Sequence, residues 1–205
     1  TLKSLDISLE KCLSSKFYRH ISASELIVTD HPYVITNDAH KDIQNIPIWI
    51  SDWLKKKYIK KSLSNTNDYP KKIYIDRRDS TANMKDARII LNESEIKNFL
   101  ENNEFKSLQL GKIDFDQQVK IFNNADIIVG LHGAGFANLS FCKKGTKVIE
   151  FNNTSDENMY GNLALTNELD YKSINSDPIG FDNNNQYGHI NISIEELKET
   201  LESLK

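Results

Sequence analysis

Cysteine is scarce in this chain: Cys12 and Cys142 are the only two in 205 residues. They stand far apart without metal-ligand spacing, which argues against a disulfide framework or a metal site and suits a reducing cytoplasm. Long apolar runs are missing too. No stretch reaches the roughly 18 residues of a membrane-spanning helix, and the first residues carry no signal-peptide pattern, so any membrane association is expected to be peripheral. Neither sign of charge dominates. With 26 basic and 29 acidic residues the net charge is −3, which does not suit a general nucleic-acid binder. The lysine clusters at 55–57, 60–61 and 71–72 read as solvated faces. The eight glycines form no G-x-G-x-x-G fingerprint, so a nicotinamide or flavin site is not expected. An initiator Met is absent as well: TLKSLDIS opens directly in a helical pattern, which leaves room for an upstream domain.

What is present is organised. Residues 25–29 (ELIVT) read as a short apolar strand, followed by a loop through Asp30, His31, Asp38 and His40. Pro47 opens an amphipathic helix, with Ile48, Trp49, Trp53 and Leu54 expected inward and lysines outward. The polar, aperiodic stretch 62–71 reads as a linker. Beyond it the pattern becomes regular. Strands are expected at 72–76, 105–110, 126–130, 147–151 and 171–174. Helices are expected at 93–103 behind Asn92, after Asp114, around 157–168 and from Ile194. Strands alternating with helices of about ten residues predict an α/β fold: right-handed βαβ units, a Rossmann-like parallel sheet and helices on both faces. In such sheets ligands bind outside the carboxyl ends of the strands.

Two strand ends carry chemistry. Residues 125–151, ADIIVGLHGAGFANLSFCKKGTKVIEF, read as strand, glycine turn, short helix, basic turn and strand. In the turn His132-Gly133-Ala134-Gly135, glycine lets backbone N–H groups approach a ligand, and the following helix N-terminus favours an anion. The same residues also suit tight strand–helix packing, with His132 as a cap. Glu150, at the end of the next strand, is placed to take a ribose hydroxyl or to serve as an ordinary strand-end carboxylate. The strand at 72–76 runs into Arg77, Arg78 and Asp79. Arginine grips two oxygens of a diphosphate at once; the alternative is a surface ion pair with Asp76 or Asp79. Asn92 is expected to cap its helix, with Glu93 beside it as a further candidate ligand.

Taken together, Y-I-D-R-R-D-S, R-I-I-L-N-E, F-D-Q-Q-V-K-I-F-N-N-A-D-I-I-V-G-L-H-G-A-G-F-A-N-L-S-F-C and G-T-K-V-I-E, in this order, resemble the glycosyltransferase family 61 domain. The resemblance is strong over residues 72–151 and weaker over ELIVTDHP. The chain departs from the family at Leu131, where proline is common, and at Lys143-Lys144, where Pro-Pro is usual. The resemblance implies an inverting, metal-independent enzyme of the GT-B architecture that uses a nucleotide-sugar and a glycan acceptor, as in capsular polysaccharide synthesis, without a cofactor. On that reading residues 1–66 are the end of the amino-terminal, acceptor-side domain plus linker, and residues 67–205 are the Rossmann-like donor-binding domain. The implied donor-binding set is Arg77, Arg78, Asn92, Glu93, His132, Gly133, Ala134, Gly135, Asn138 and Glu150, with His132 and Arg77 also catalytic. The general base is expected from the amino-terminal domain, where Asp30, His31, Asp38 and His40 are the acid/base candidates. Two other readings stay open. One is a non-catalytic nucleotide- or glycan-binding domain; the other is a polysaccharide pyruvyl transferase, which also sets a histidine–glycine turn beside an anionic donor.

Overall fold

The computed structural model describes residues 5–28, 36, 38–42, 44–59, 69–81, 88–153, 158–180 and 188–204. The chain forms two compact units, Thr1–Asp42 and Ile43–Lys205. The first holds a 3-10 turn, Leu9–Lys11, and a one-turn helix α1, Ala39–Asp42. Over its described part the strand expected at 25–29 is not seen: residues 25–28 join no ladder, and Leu26, Ile27 and Val28 are exposed. Strand backbone must find hydrogen-bond partners, and no described residue of this unit supplies them. Of the four acid/base candidates only Asp38 is fully described, exposed just ahead of α1. Thr29, Asp30, His31 and the side chain of His40 lie outside the described residues, as does most of the expected linker.

The second unit is built on five parallel strands: β1 Lys72–Ile75, β2 Lys106–Leu108, β3 Ile127–Leu131, β4 Lys147–Asn153 and β5 Asp170–Ser176. Their spatial order is β2-β1-β3-β4-β5. The connecting helices are α2 Ile48–Tyr58, α3 Arg78–Thr81, α4 Glu93–Asn102, α5 Phe115–Asn124, α6 Met159–Thr166 and α7 Ile194–Ser203. Side-chain caps open two of them, the first as expected from sequence. Asp114 accepts from Gln117 N at 2.9 Å, and Ser193 accepts from Glu196 N at 3.3 Å, each satisfying an N–H that has no partner inside its helix.

The strands present one face to α4 and α7. Tyr74, Val129, Leu131, Ile149 and Phe151 pack there with Ile96, Leu100, Leu197 and Leu204. Alternation turns Ile73, Ile75, Ile128, Gly130 and Val148 the other way. There a 3-10 helix, Ala134–Phe141, is surrounded by α2, α5 and α6. Gly130 suits the close packing at this layer, because a Cβ on it would stand 3.0 Å from Ile75 Cβ and 3.3 Å from the Phe136 ring. The sheet is thus parallel and covered by helices on both faces, as the sequence pattern predicts.

Two further expectations need correction. Helix α2 does not bury its tryptophan stripe: Ile48, Trp49 and Trp53 are exposed, while Ser51 and Tyr58 are buried. The helix docks through positions 51, 55 and 58, one turn apart. Asn167 Nδ2 donates to Ser51 Oγ at 3.1 Å, Lys55 Nζ donates to Asn167 Oδ1 at 2.9 Å, and the Tyr58 ring meets Phe115 edge-on at 4.9 Å. Strand β4 also continues past Glu150 to Asn153, so Glu150 is an interior residue of the strand and not its end.

Candidate functional site

In the order β2-β1-β3-β4-β5 the chain leaves β1 outward to β2, then crosses back to place β3 on the other side of β1. The crevice where this winding reverses lies between the carboxyl ends of β1 and β3, the usual ligand position in such sheets. Arg77 follows β1, and His132 through Gly135 follow β3. The two segments read from sequence as chemical are therefore neighbours.

Arg77 is half-buried and its Nη1 donates to the carbonyl of His132. Burial lowers its pKa, against the opposing pull of Tyr160, Asp79, Glu93 and Tyr74. Its guanidinium lies so close over the turn that a Cβ on Gly133 would sit 2.8 Å from Cζ. Glycine at 133 is what allows this approach. At Gly135 a Cβ would meet Leu110 Cδ1 at 3.0 Å and Ile75 Cγ2 at 3.3 Å, so the packing role of this glycine is visible as well.

His132 is held from behind. Its Nδ1 lies 2.6 Å from Glu150 Oε1, and Tyr171 donates to Glu150 Oε2 at 2.5 Å. Glu150 is only 1% exposed. Its two oxygens are engaged by the His132 ring, just past β3, and the Tyr171 hydroxyl of β5. The Tyr160 ring stands 5.1 Å from the imidazole, and burial together with the Glu150 charge pushes the Tyr160 hydroxyl up to about 12.

Arg78 takes the ion-pair alternative. Its Nε donates to Asp76 Oδ1 at 2.9 Å and Oδ2 at 3.0 Å, Nη2 adds a third bond, and Lys97 Nζ stands 3.5 Å from Oδ2. Burial works against the Asp76 carboxylate, but the Arg78 hydrogen bonds and the charges of Arg78 and Lys97 outweigh it and hold the pKa at about 2. A carboxyl depressed in the folded state stabilises the fold above its unfolded pKa, and that stabilisation is lost as pH falls through the folded value; a depression of this size is worth about 2 kcal/mol. Arg78→Ala is therefore expected to melt below the parent protein at neutral pH and to converge with it as pH falls from about 4 towards 2. A Tm difference that is the same at every pH would remove Asp76 from this role.

The other expected donor residues are engaged inside the fold. Tyr74 OH donates to Glu93 Oε1 at 3.1 Å, and burial raises the Glu93 carboxyl. Asn92 occupies the N-cap position of α4 without capping it. Its amide instead pairs with the backbone of Ile192, donating at 2.8 Å and accepting at 3.1 Å, because the chain segment before α7 runs alongside. Asn138 donates to Gln118 Oε1 at 3.0 Å and to Gly135 O at 3.2 Å, bracing the turn against α5.

A cavity of about 350 Å³ opens at the switch point, lined by Arg77, Asp76, Asp79, Lys112, Ala134 and Gly135 over an apolar floor of Ile75 and Leu110. Asp79 Oδ2 accepts from Gly111 N at 2.7 Å, tying the end of β1 to a 3-10 turn, Leu110–Lys112, that follows β2. Lys112 and Tyr171 were not singled out from sequence. The strand-end rule that selects Arg77 also selects Lys112, since L-G-K follows β2. Tyr171 could be found only from register, with Glu150 paired to Ser173 and Val148 to Tyr171.

Comparison with known proteins identifies the family. The chain is similar to the EGF domain-specific O-linked N-acetylglucosamine transferase of Gallus gallus, 33% identical over 95 residues, which is 44% of this chain and 18% of that protein. The Drosophila melanogaster protein of the same name is 34% identical over 89 residues, 42% of this chain and 17% of the relative. The Mus musculus protein is 34% identical over 98 residues, 44% and 18%. The chain thus matches less than a fifth of the length of these relatives. The sequence model of Glycosyltransferase 61 matches residues 4–149. Over more than half its length it carries that pattern, and the chain belongs to the glycosyltransferase 61 family.

Proposed function

We propose that this chain is the donor-binding, carboxyl-terminal half of a GT-B glycosyltransferase that moves a sugar from a nucleotide-sugar to a glycan acceptor. The observation that carries this reading is the cavity at the β1/β3 switch point, where Arg77 lies over the glycine turn. A diphosphate leaving group gathers negative charge as the glycosidic bond to it breaks. Preorganised donors stabilise that charge best where water is excluded. Arg77, His132 and the N–H groups that open the 3-10 helix supply such donors without a metal ion. In the inverting reaction a base removes the acceptor hydroxyl proton, the oxygen attacks the anomeric carbon, and the nucleoside diphosphate departs with the bonding electrons. We assign the base to the amino-terminal part of the enzyme, and the pathway to capsular or surface polysaccharide synthesis in the cytoplasm. Because the relatives are named for N-acetylglucosamine transfer, UDP-N-acetylglucosamine is the first donor to try.

A thermal-shift screen of UDP, GDP, CMP and phosphoenolpyruvate tests the reading. One nucleotide is expected to raise Tm, with stabilisation of about 2.7 kcal/mol at a hundredfold excess over Kd. A response to phosphoenolpyruvate alone would reassign the chain to pyruvyl transfer. Nucleotide binding with no turnover of any nucleotide-sugar by the full-length protein would leave a binding domain only. Lys112 provides a finer prediction, since among the described residues it has no ion-pair partner and it lines the cavity beside Arg77. Lys112→Gln is expected to cost about 1 kcal/mol of nucleoside diphosphate affinity, roughly fivefold, with less loss at high salt. Equal affinities at low salt would place Lys112 outside the phosphate site.

A further inference from the structure

Glu150 is a carboxylate inside a parallel sheet, fourth of the seven residues of β4 and 1% exposed. Burying such a group is costly unless each oxygen is satisfied. Here one oxygen meets His132 Nδ1 and the other receives the Tyr171 hydroxyl. A carboxylate only accepts hydrogen bonds, so the nitrogen facing it carries the proton. The bond made by one ring nitrogen of a histidine decides the state of the other. The imidazole is therefore left with Nε2 as the one nitrogen free to exchange a proton. The same residue is held on its main-chain side, where Arg77 binds the His132 carbonyl. Backbone and ring are fixed independently, which exceeds what capping a helix requires.

We propose that Glu150 and Tyr171 are positioning residues that lock His132 in the Nδ1–H form and commit Nε2 to the donor. A bound diphosphate then draws a second proton onto Nε2, and the Glu150 carboxylate balances the imidazolium charge from the far side. Tyr171 holds the carboxylate against rotation, so the proton-bearing edge of the ring keeps its direction through the reaction. The role in transfer rests on the donor-site reading above; the tautomer does not.

Nitrogen-15 NMR of the histidine ring in the intact protein tests both parts. Without nucleotide at mildly alkaline pH, Nδ1 is expected to carry the proton and Nε2 to be bare. Adding UDP, or whichever nucleotide binds, is expected to move the Nε2 signal towards the protonated position and leave Nδ1 in place. In Glu150→Leu the resting tautomer is expected to switch to Nε2–H, and turnover to fall at least tenfold. Tyr171→Phe is expected to keep the tautomer and lose about threefold in turnover, a loss of roughly 0.7 kcal/mol by the same arithmetic. A parent protein resting in the Nε2–H form would overturn the proposal, whatever binds. So would a Glu150→Leu protein with an unchanged nitrogen pattern. If Glu150→Leu does not fold, the parent spectrum and Tyr171→Phe still decide it. A parent spectrum as expected, with no change on adding any nucleotide and no nucleotide affinity, would retain the lock and reject the donor site.

Discussion

Arg77→Ala is expected to lower nucleotide affinity by about 2–3 kcal/mol, roughly 30- to 150-fold. The side chain is half-buried at the switch point, its guanidinium faces the glycine turn, and Arg77 lines the 350 Å³ cavity. A charge-assisted contact is stronger there than at the surface, because partial burial weakens the competition from water. The arginine also holds the His132 carbonyl, so part of the loss will come from a loosened turn. Arg77→Lys separates the contributions: it keeps the charge but cannot span two phosphate oxygens, and its affinity should fall between the two. Calorimetric titration with the nucleotide identified by thermal shift provides the measurement. If Arg77→Ala binds as tightly as the parent protein, the diphosphate does not lie over this turn.

His132→Ala is expected to lose stability as well as binding, about 2–3 kcal/mol, or a fall in Tm of roughly 4–12 °C for a chain of this length. The reason is Glu150. With the imidazole gone, a carboxylate that is 1% exposed keeps only Tyr171 as a partner, and an unpaired buried charge costs more than the contact it lost. Adding Glu150→Leu should therefore return at least half of the lost stability, the non-additivity expected of residues in one network. Thermal melts of the two single variants and the double variant measure it. A double variant that melts no higher than His132→Ala would mean that the carboxylate is not what the histidine supports.

Much of the second unit was legible in the order of residues. A parallel sheet follows from strands of three to seven residues alternating with helices whose apolar positions repeat every three or four, and local caps such as Asp114 act through neighbours a few residues away. The strand-end rule brought Arg77 and the His132 turn to one crevice for the same reason, since parallel strands all deliver their carboxyl ends to one side. The reading failed where partners were distant. Trp49 and Trp53 look like the inward face of α2, yet three residues of another stripe, Ser51, Lys55 and Tyr58, find Ser140, Asn167, Phe115 and Phe141. Hydrophobicity names a face; it does not name what lies opposite.

Arg78 and Glu150 show the same division. Either arginine after β1 suits a diphosphate, and no local pattern separates them. The turn of the backbone sends Arg78 to Asp76, which Lys97 also reaches, and leaves Arg77 over Gly133. Glu150 reads as a strand end because Phe151, Asn152 and Asn153 lead into a polar stretch, but β4 runs on beside β5, and the ladder to Asn175 and Ser176 keeps it extended. Sequence by itself determined the family, the parallel sheet and the crevice at which Arg77 meets the His132 turn, because these depend on periodicity and on motifs within single segments. Only the tertiary structure decided which cation faces the cavity and which carboxylate supports the histidine, because those choices depend on strand register and on contacts between residues 18 to 55 positions apart.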